Sequence, residues 1–113
     1  MNRSYPILAA LSLTAAFLVG CSRSVQIENI SAAETIVLEA ESEYPSSIRI
    51  SGRGKIEGAA KISLMVDGKA YRTEELSGKV DFEWFNDWYS EEAVLKYKPG
   101  TVKSGNLTLK YRF

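Results

Sequence analysis

Apolar and polar residues alternate one by one through most of this chain, and a period of two leaves the backbone few options. In Leu107-Thr108-Leu109-Lys110-Tyr111-Arg112-Phe113 every second residue is apolar and the residues between are polar or charged. Val80-Asp81-Phe82-Glu83-Trp84, Ile62-Ser63-Leu64-Met65-Val66 and Leu95-Lys96-Tyr97-Lys98 repeat the pattern, and residues 35–41 and 47–51 carry weaker versions. Side chains on a strand point alternately to its two faces, so such segments bury one face and wet the other, as antiparallel sheets do. Turn signals separate them. Asp67-Gly68 is a strong hairpin signal, Pro99-Gly100 suits a type II turn, and Tyr44-Pro45-Ser46-Ser47 and Ser104-Gly105-Asn106 read as breaks. Gly52, Gly54 and Gly58 make residues 51–59 pliable, a bulged strand or a sharp bend. A helical stripe is missing after residue 24, and residues 31–34 suffice for one turn at most. The expected fold is all-β: one small antiparallel β-sandwich or barrel of about seven or eight short strands over residues 25–113, preceded by an N-terminal signal helix.

That helix is expected in the first twenty residues. Asn2-Arg3 gives a positive start, residues 7–19 (ILAALSLTAAFLV) form an apolar run, and no acid precedes Glu28. The run would rise only about 20 Å as a helix, short of the roughly 30 Å of a hydrocarbon core, so a cleaved export signal fits better than a permanent span. The only cysteine closes the segment in Leu18-Val19-Gly20-Cys21. This stretch resembles the lipobox of bacterial lipoproteins. The resemblance implies cleavage before Cys21, a diacylglyceryl thioether on its sulfur and a further acyl chain on the freed amine. Residues 21–24 would then be a lipidated tether, with the membrane as a partner through the lipid. With Ser22 rather than an aspartate after the cysteine, the resemblance implies an outer-membrane address in a host that has two membranes. An ordinary signal peptide beside an incidental Cys21 is the competing reading.

Charge is balanced overall but not along the chain. Residues 24–47 hold five acids (Glu28, Glu34, Glu39, Glu41, Glu43) and no base, whereas residues 93–113 hold five bases (Lys96, Lys98, Lys103, Lys110, Arg112) and no acid. Two readings follow: the first and last strands pair and their charges attract across the ladder, or the bases form a separate patch for a partner. Near-zero net charge gives no reason to expect nucleic acid as a partner.

Histidine is absent, which excludes histidine-based triads and zinc or copper sites of the usual nitrogen-and-sulfur type. No cofactor is expected. Asp81 and Glu83 share the polar face of one strand, and Glu91-Glu92 point to opposite faces, so a carboxylate-based hydrolase is the outside option. The densest unusual stretch is Phe85-Asn86-Asp87-Trp88-Tyr89. Phe82 and Trp84 continue the inward face, whereas Phe85, Trp88 and Tyr89 are read as breaking the alternation around Asn86-Asp87, a turn pair. Rings beside amide and carboxylate groups suit a sugar-binding surface, and the bland alternative is a turn that caps one end of the core. Asn86, Asp87 and Glu91 fall short of the six to eight oxygens that calcium takes. The expected function is a non-catalytic binding or adaptor module of the cell envelope, its ligand a glycan or an envelope protein. The alternative is a protein inhibitor or envelope-assembly component that presents a loop.

Overall fold

The computed structural model describes residues 22–113; the expected signal helix and Cys21 lie outside the described residues. The described chain is all-β, one curled antiparallel sheet of six strands. In chain order they are β1 (Arg23–Gln26), β2 (Glu34–Glu39), β3 (Ser47–Val66), β4 (Lys69–Asp87), β5 (Glu92–Pro99) and β6 (Ser104–Arg112). The strands are fewer and longer than the seven or eight short ones expected. Residues 47–51 and 62–66 belong to one strand of 20 residues, and residues 69–73 and 80–84 to one of 19. The first strand also starts earlier, at Arg23 rather than Val25.

The long pair β3–β4 organises the sheet. Its tip is the predicted two-residue turn, with Asp67 at φ 52° and Gly68 at φ 77°, so both central residues take the left-handed conformation that a type I′ turn needs. The other edge of β3 is divided between two partners. Residues 49–57 pair with β6, which in turn pairs with β1, and residues 60–65 pair with β5, which pairs with β2.

Between these two halves the hairpin bends. Ile56 faces Gly78 and Ala60 faces Leu76, so three residues of β3 stand against Ser77 alone. The two extra residues leave the alternation in phase, and even-numbered side chains of β3 point inward on both sides of the bend. The connection between β5 and β6 is tied onto this bulge: the Gly100 N–H donates to the Ala59 carbonyl (2.8 Å) and the Lys103 N–H to the Glu57 carbonyl (2.8 Å). Gly100 does not take the positive φ of the expected type II turn, because its N–H is committed to the bulge. Gly58, at φ 113°, sits where a Cβ would overlap the Thr101 carbonyl oxygen. Gly78, on the facing strand, has φ 65° and open space around it. Ser104, Gly105 and Asn106, expected as a break, belong to β6, and Gly105 faces Ile56 across the ladder.

The bend brings the two ends of β4 together. Arg72 donates to the Asn86 side-chain oxygen (3.2 Å), and the Trp84 indole N–H donates to a Glu74 carboxylate oxygen (3.3 Å). The Arg72 guanidinium also lies over the Trp84 ring, 5.6 Å from its centroid. One half of the sheet therefore faces the other across a single interior. Ile62, Leu64, Leu95 and Tyr97 come from one half, and Ile48, Ile50, Trp84, Leu107 and Leu109 from the other. Full burial of each aliphatic side chain stabilises the domain by about 1.5–3 kcal/mol. The Tyr97 hydroxyl is satisfied by the Ile30 carbonyl (2.6 Å), and burial pushes its pKa up.

Acidic and basic segments do come together, since β1 lies on β6 and β2 on β5. Their charges are not opposed in the ladder, however. Ser24 faces Lys110, Thr35 faces Lys96, Glu34 faces Tyr97, and Glu39 faces Glu92. Ion pairs join Arg23 to Glu41, Arg49 to Glu83 and Arg53 to Asp81.

Candidate functional site

One end of the molecule gathers most of the exposed rings. The start of β1, the end of β6, residues 40–46 and residues 88–91 all meet there. Two backbone bonds knit the loops: Ala40 N–H donates to the Glu91 carbonyl (2.8 Å), and Trp88 N–H to the Ser46 carbonyl (3.1 Å). Arg23, at the head of β1, is ion-paired with Glu41 of the first loop, which holds its guanidinium pKa up. A cleft of about 260 Å³ opens beside this pair, lined by Glu39, Ser42, Tyr111 and Phe113 among others. Tyr111 and Phe113 meet edge to face there, with centroids 6.2 Å apart.

The five residues expected to form a ligand surface divide in the structure. Asn86 and Asp87 are not a turn pair; both are still in β4, facing Ile48 and Ser47. Their turn chemistry is overridden because β3 continues alongside them as a hydrogen-bonding partner. Phe85 does not break the alternation either. It occupies an ordinary outward position, 57% exposed, with the Arg49 guanidinium 4.7 Å from its ring centroid. Trp88 is half-buried against the core, and its indole N–H donates to the Glu92 carbonyl (2.9 Å), so it pins the loop down. Tyr89 projects into solvent at 75% exposure. Asn86 turns its amide oxygen to Arg72, and Asp87 is exposed at the end of the strand.

Sequence reasoning missed Tyr44, which is 89% exposed on the neighbouring loop. Its Tyr-Pro-Ser-Ser context was read only as a break, although Pro45 beside it is buried and fixes where the ring leaves the surface. Tyr44 and Tyr89 are thus presented on two loops held together by backbone bonds, with Asp87 at the end of β4 two residues before Tyr89. The carboxylates considered for hydrolysis, Asp81 and Glu83, are exposed and each is engaged by an arginine. Among the described residues no group of three or more histidine, cysteine or acidic side chains is placed to hold a metal ion.

Comparison of the chain with protein-family models, with curated proteins and with solved structures finds no match.

Proposed function

We propose that this chain is a lipid-anchored envelope protein whose globular part binds a ligand without transforming it. On this reading Cys21 carries the acyl chains and the two facing halves are the layers of a small β-sandwich. The membrane that holds it is the outer one in a host with two membranes. More than one acyl chain gives stable anchoring, as the lipobox resemblance implies.

The observation that carries the binding role is the exposure of Tyr44 and Tyr89 on joined loops, where they are the two most exposed rings among the described residues, ahead of Tyr71 and Phe85. Rigid aromatic rings beside polar groups stack on the apolar face of a pyranose while the polar groups bond its hydroxyls. Asp87 is the polar partner at hand. Trp88 lies between Asp87 and Tyr89 with its N–H bonded to Glu92, so occupation of the loops should alter its emission. Titration of the native protein with soluble cell-wall glycan fragments should give a saturable change in tryptophan fluorescence that Tyr89→Ala weakens at least tenfold. An unchanged spectrum at saturating glycan would argue against the sugar, and a change produced only by an envelope protein would reassign the loops to a protein partner.

A further inference from the structure

The outward side of the half built from β1, β6, residues 47–57 of β3 and residues 78–87 of β4 carries an excess of positive charge, concentrated in its four central rows. Strand register sets its rows: Phe85, Arg49 and Arg112; then Glu83, Ser51, Lys110 and Ser24; then Asp81, Arg53, Thr108 and Gln26; then Lys79, Lys55 and Asn106. Within these four rows six cations stand with two carboxylates, both ion-paired, Glu83 with Arg49 and Asp81 with Arg53, and the rows beyond them at either end add Asp87 and Glu57. Lys55 and Lys79 stand directly opposite one another. Outward residues repeat about every 6.8 Å along a strand, so the four rows span about 20 Å along the strands. Over Gly54 the face dips into a shallow polar groove lined by Ser51, Arg53, Asn106, Thr108 and Lys110.

The opposite outward side behaves differently. There Lys61 faces Glu75 and Lys98, Lys96 faces Ser63 and Thr35, and Glu39 faces Glu92. Three lysines are matched by three carboxylates.

We propose that the basic face docks on the anionic headgroups of the leaflet in which the chain is anchored. The proposal rests on the lipid-anchor reading of Cys21. Three observations select a lipid surface over other polyanions. The first is charge complementarity, with the excess of cations concentrated on one side. The second is position: β1 is the edge strand of this very face and begins at Arg23, two residues after Cys21. Two extended residues reach only about 7 Å, so the anchor holds the face at the headgroups at high effective concentration. The third is Phe85, an exposed ring within the cationic array, suited to the headgroup boundary where aromatic side chains collect. Docked this way, the loops bearing Tyr44 and Tyr89 point along the membrane and stay open to a ligand.

The test uses the native acylated protein in vesicles of phosphatidylcholine, with or without phosphatidylglycerol, and a water-soluble amine-acetylating reagent read by mass spectrometry. In anionic vesicles acetylation of Lys55, Lys79 and Lys110 should fall at least fivefold, while Lys61, Lys96 and Lys98 stay unchanged as internal controls. Salt at about 1 M, where the screening length is about 3 Å, should restore labelling. The paired substitution Lys55→Glu and Lys79→Glu, both at exposed positions, should abolish protection of Lys110 with the fold intact by circular dichroism. Equal labelling of the two faces on anionic vesicles that carry the protein would overturn docking and leave the anchor standing. Failure of the protein to float with either vesicle would overturn the anchor and docking with it. Protection by soluble dextran sulfate but not by vesicles would reassign the face to an anionic glycan.

Discussion

On the half of the sheet that includes Ser47 to Glu57, the outward positions carry six cations, Arg49, Arg53, Lys55, Lys79, Lys110 and Arg112, against four carboxylates, Glu57, Asp81, Glu83 and Asp87. On the half that includes Ala60 to Val66, they carry Lys61, Ser63 and Met65, with Glu75 beside Lys61 and Val37 beside Val94. Inward, both halves carry mainly apolar residues, with Phe82, Trp84 and Tyr111 among the aliphatic side chains of one and Tyr97 among those of the other. The contrast separates two jobs that alternation does at once. The inward residues have to be apolar for the halves to fold together, which fixes them by hydrophobic burial. The outward residues are free of that demand, so their chemistry differs where a surface role differs.

The comparison can be broken most severely at the bend. Gly58→Ala puts a Cβ on the Thr101 carbonyl and a positive φ on a residue that resists it, so it should cost about 3–5 kcal/mol, measured by denaturant unfolding. Gly78→Ala, on the facing strand with open space around it, should lose only about 1–2 kcal/mol from its left-handed backbone. Near-equal losses would mean that the strap of residues 100–103 does not hold the bend. Next in size are the two interiors. Leu64→Ala and Leu109→Ala should each cost about 3 kcal/mol, and similar values are expected because both side chains are fully buried in one shared core. A large asymmetry would indicate two separate cores.

The smallest effect is a titration. Burial raises the Tyr97 pKa above its ordinary value near 10, so the unfolded chain ionises first. Stability contributed by this group is intact below that pH and is lost as pH rises past it. Tyr97→Phe should cost about 1 kcal/mol at neutral pH, from the lost bond to the Ile30 carbonyl, and should flatten the alkaline fall in unfolding free energy. An unchanged alkaline limb would show that other groups govern it.

Much of the fold is legible in the sequence because alternation and turn chemistry are local. Phe82 and Trp84 read as inward and are buried, and Asp67-Gly68 reads as a hairpin and is one. Of the three glycines of residues 51–59, Gly58 lies in the bulge, whereas Gly52 and Gly54 pair in regular register with Phe82 and Val80. The strand count was not legible, because a bulge of two extra residues keeps the alternation in phase and so leaves no mark where β3 bends. Asn86-Asp87 and Ser104-Gly105-Asn106 have turn-like composition, yet both lie on strands because β3 supplies partners along their whole length. The candidate site was only half legible. Tyr89 stands free as expected, whereas Trp88 is tied to Glu92 by a contact that depends on how the loop closes. Tyr44 comes from a segment more than 40 residues away, and only backbone bonds between the loops bring it near. The Arg72–Asn86 and Glu74–Trp84 contacts exist only once the hairpin has doubled back, so no local pattern announces them.

Chemical cross-linking across that doubling tests the account at its root. Arg72 and Asn86 lie on one strand, and a straight strand would hold them about 46 Å apart at about 3.3 Å per residue. In the bent hairpin their side chains meet at 3.2 Å. In the paired variant Arg72→Cys and Asn86→Cys, a short bis-maleimide, which spans far less than the straight strand would require, should yield a peptide cross-linked between positions 72 and 86 within a single chain. Recovery of the two positions each capped singly by the reagent, with no intramolecular link in folded monomer, would contradict the facing halves and, with them, the division of the molecule into two distinct outer sides.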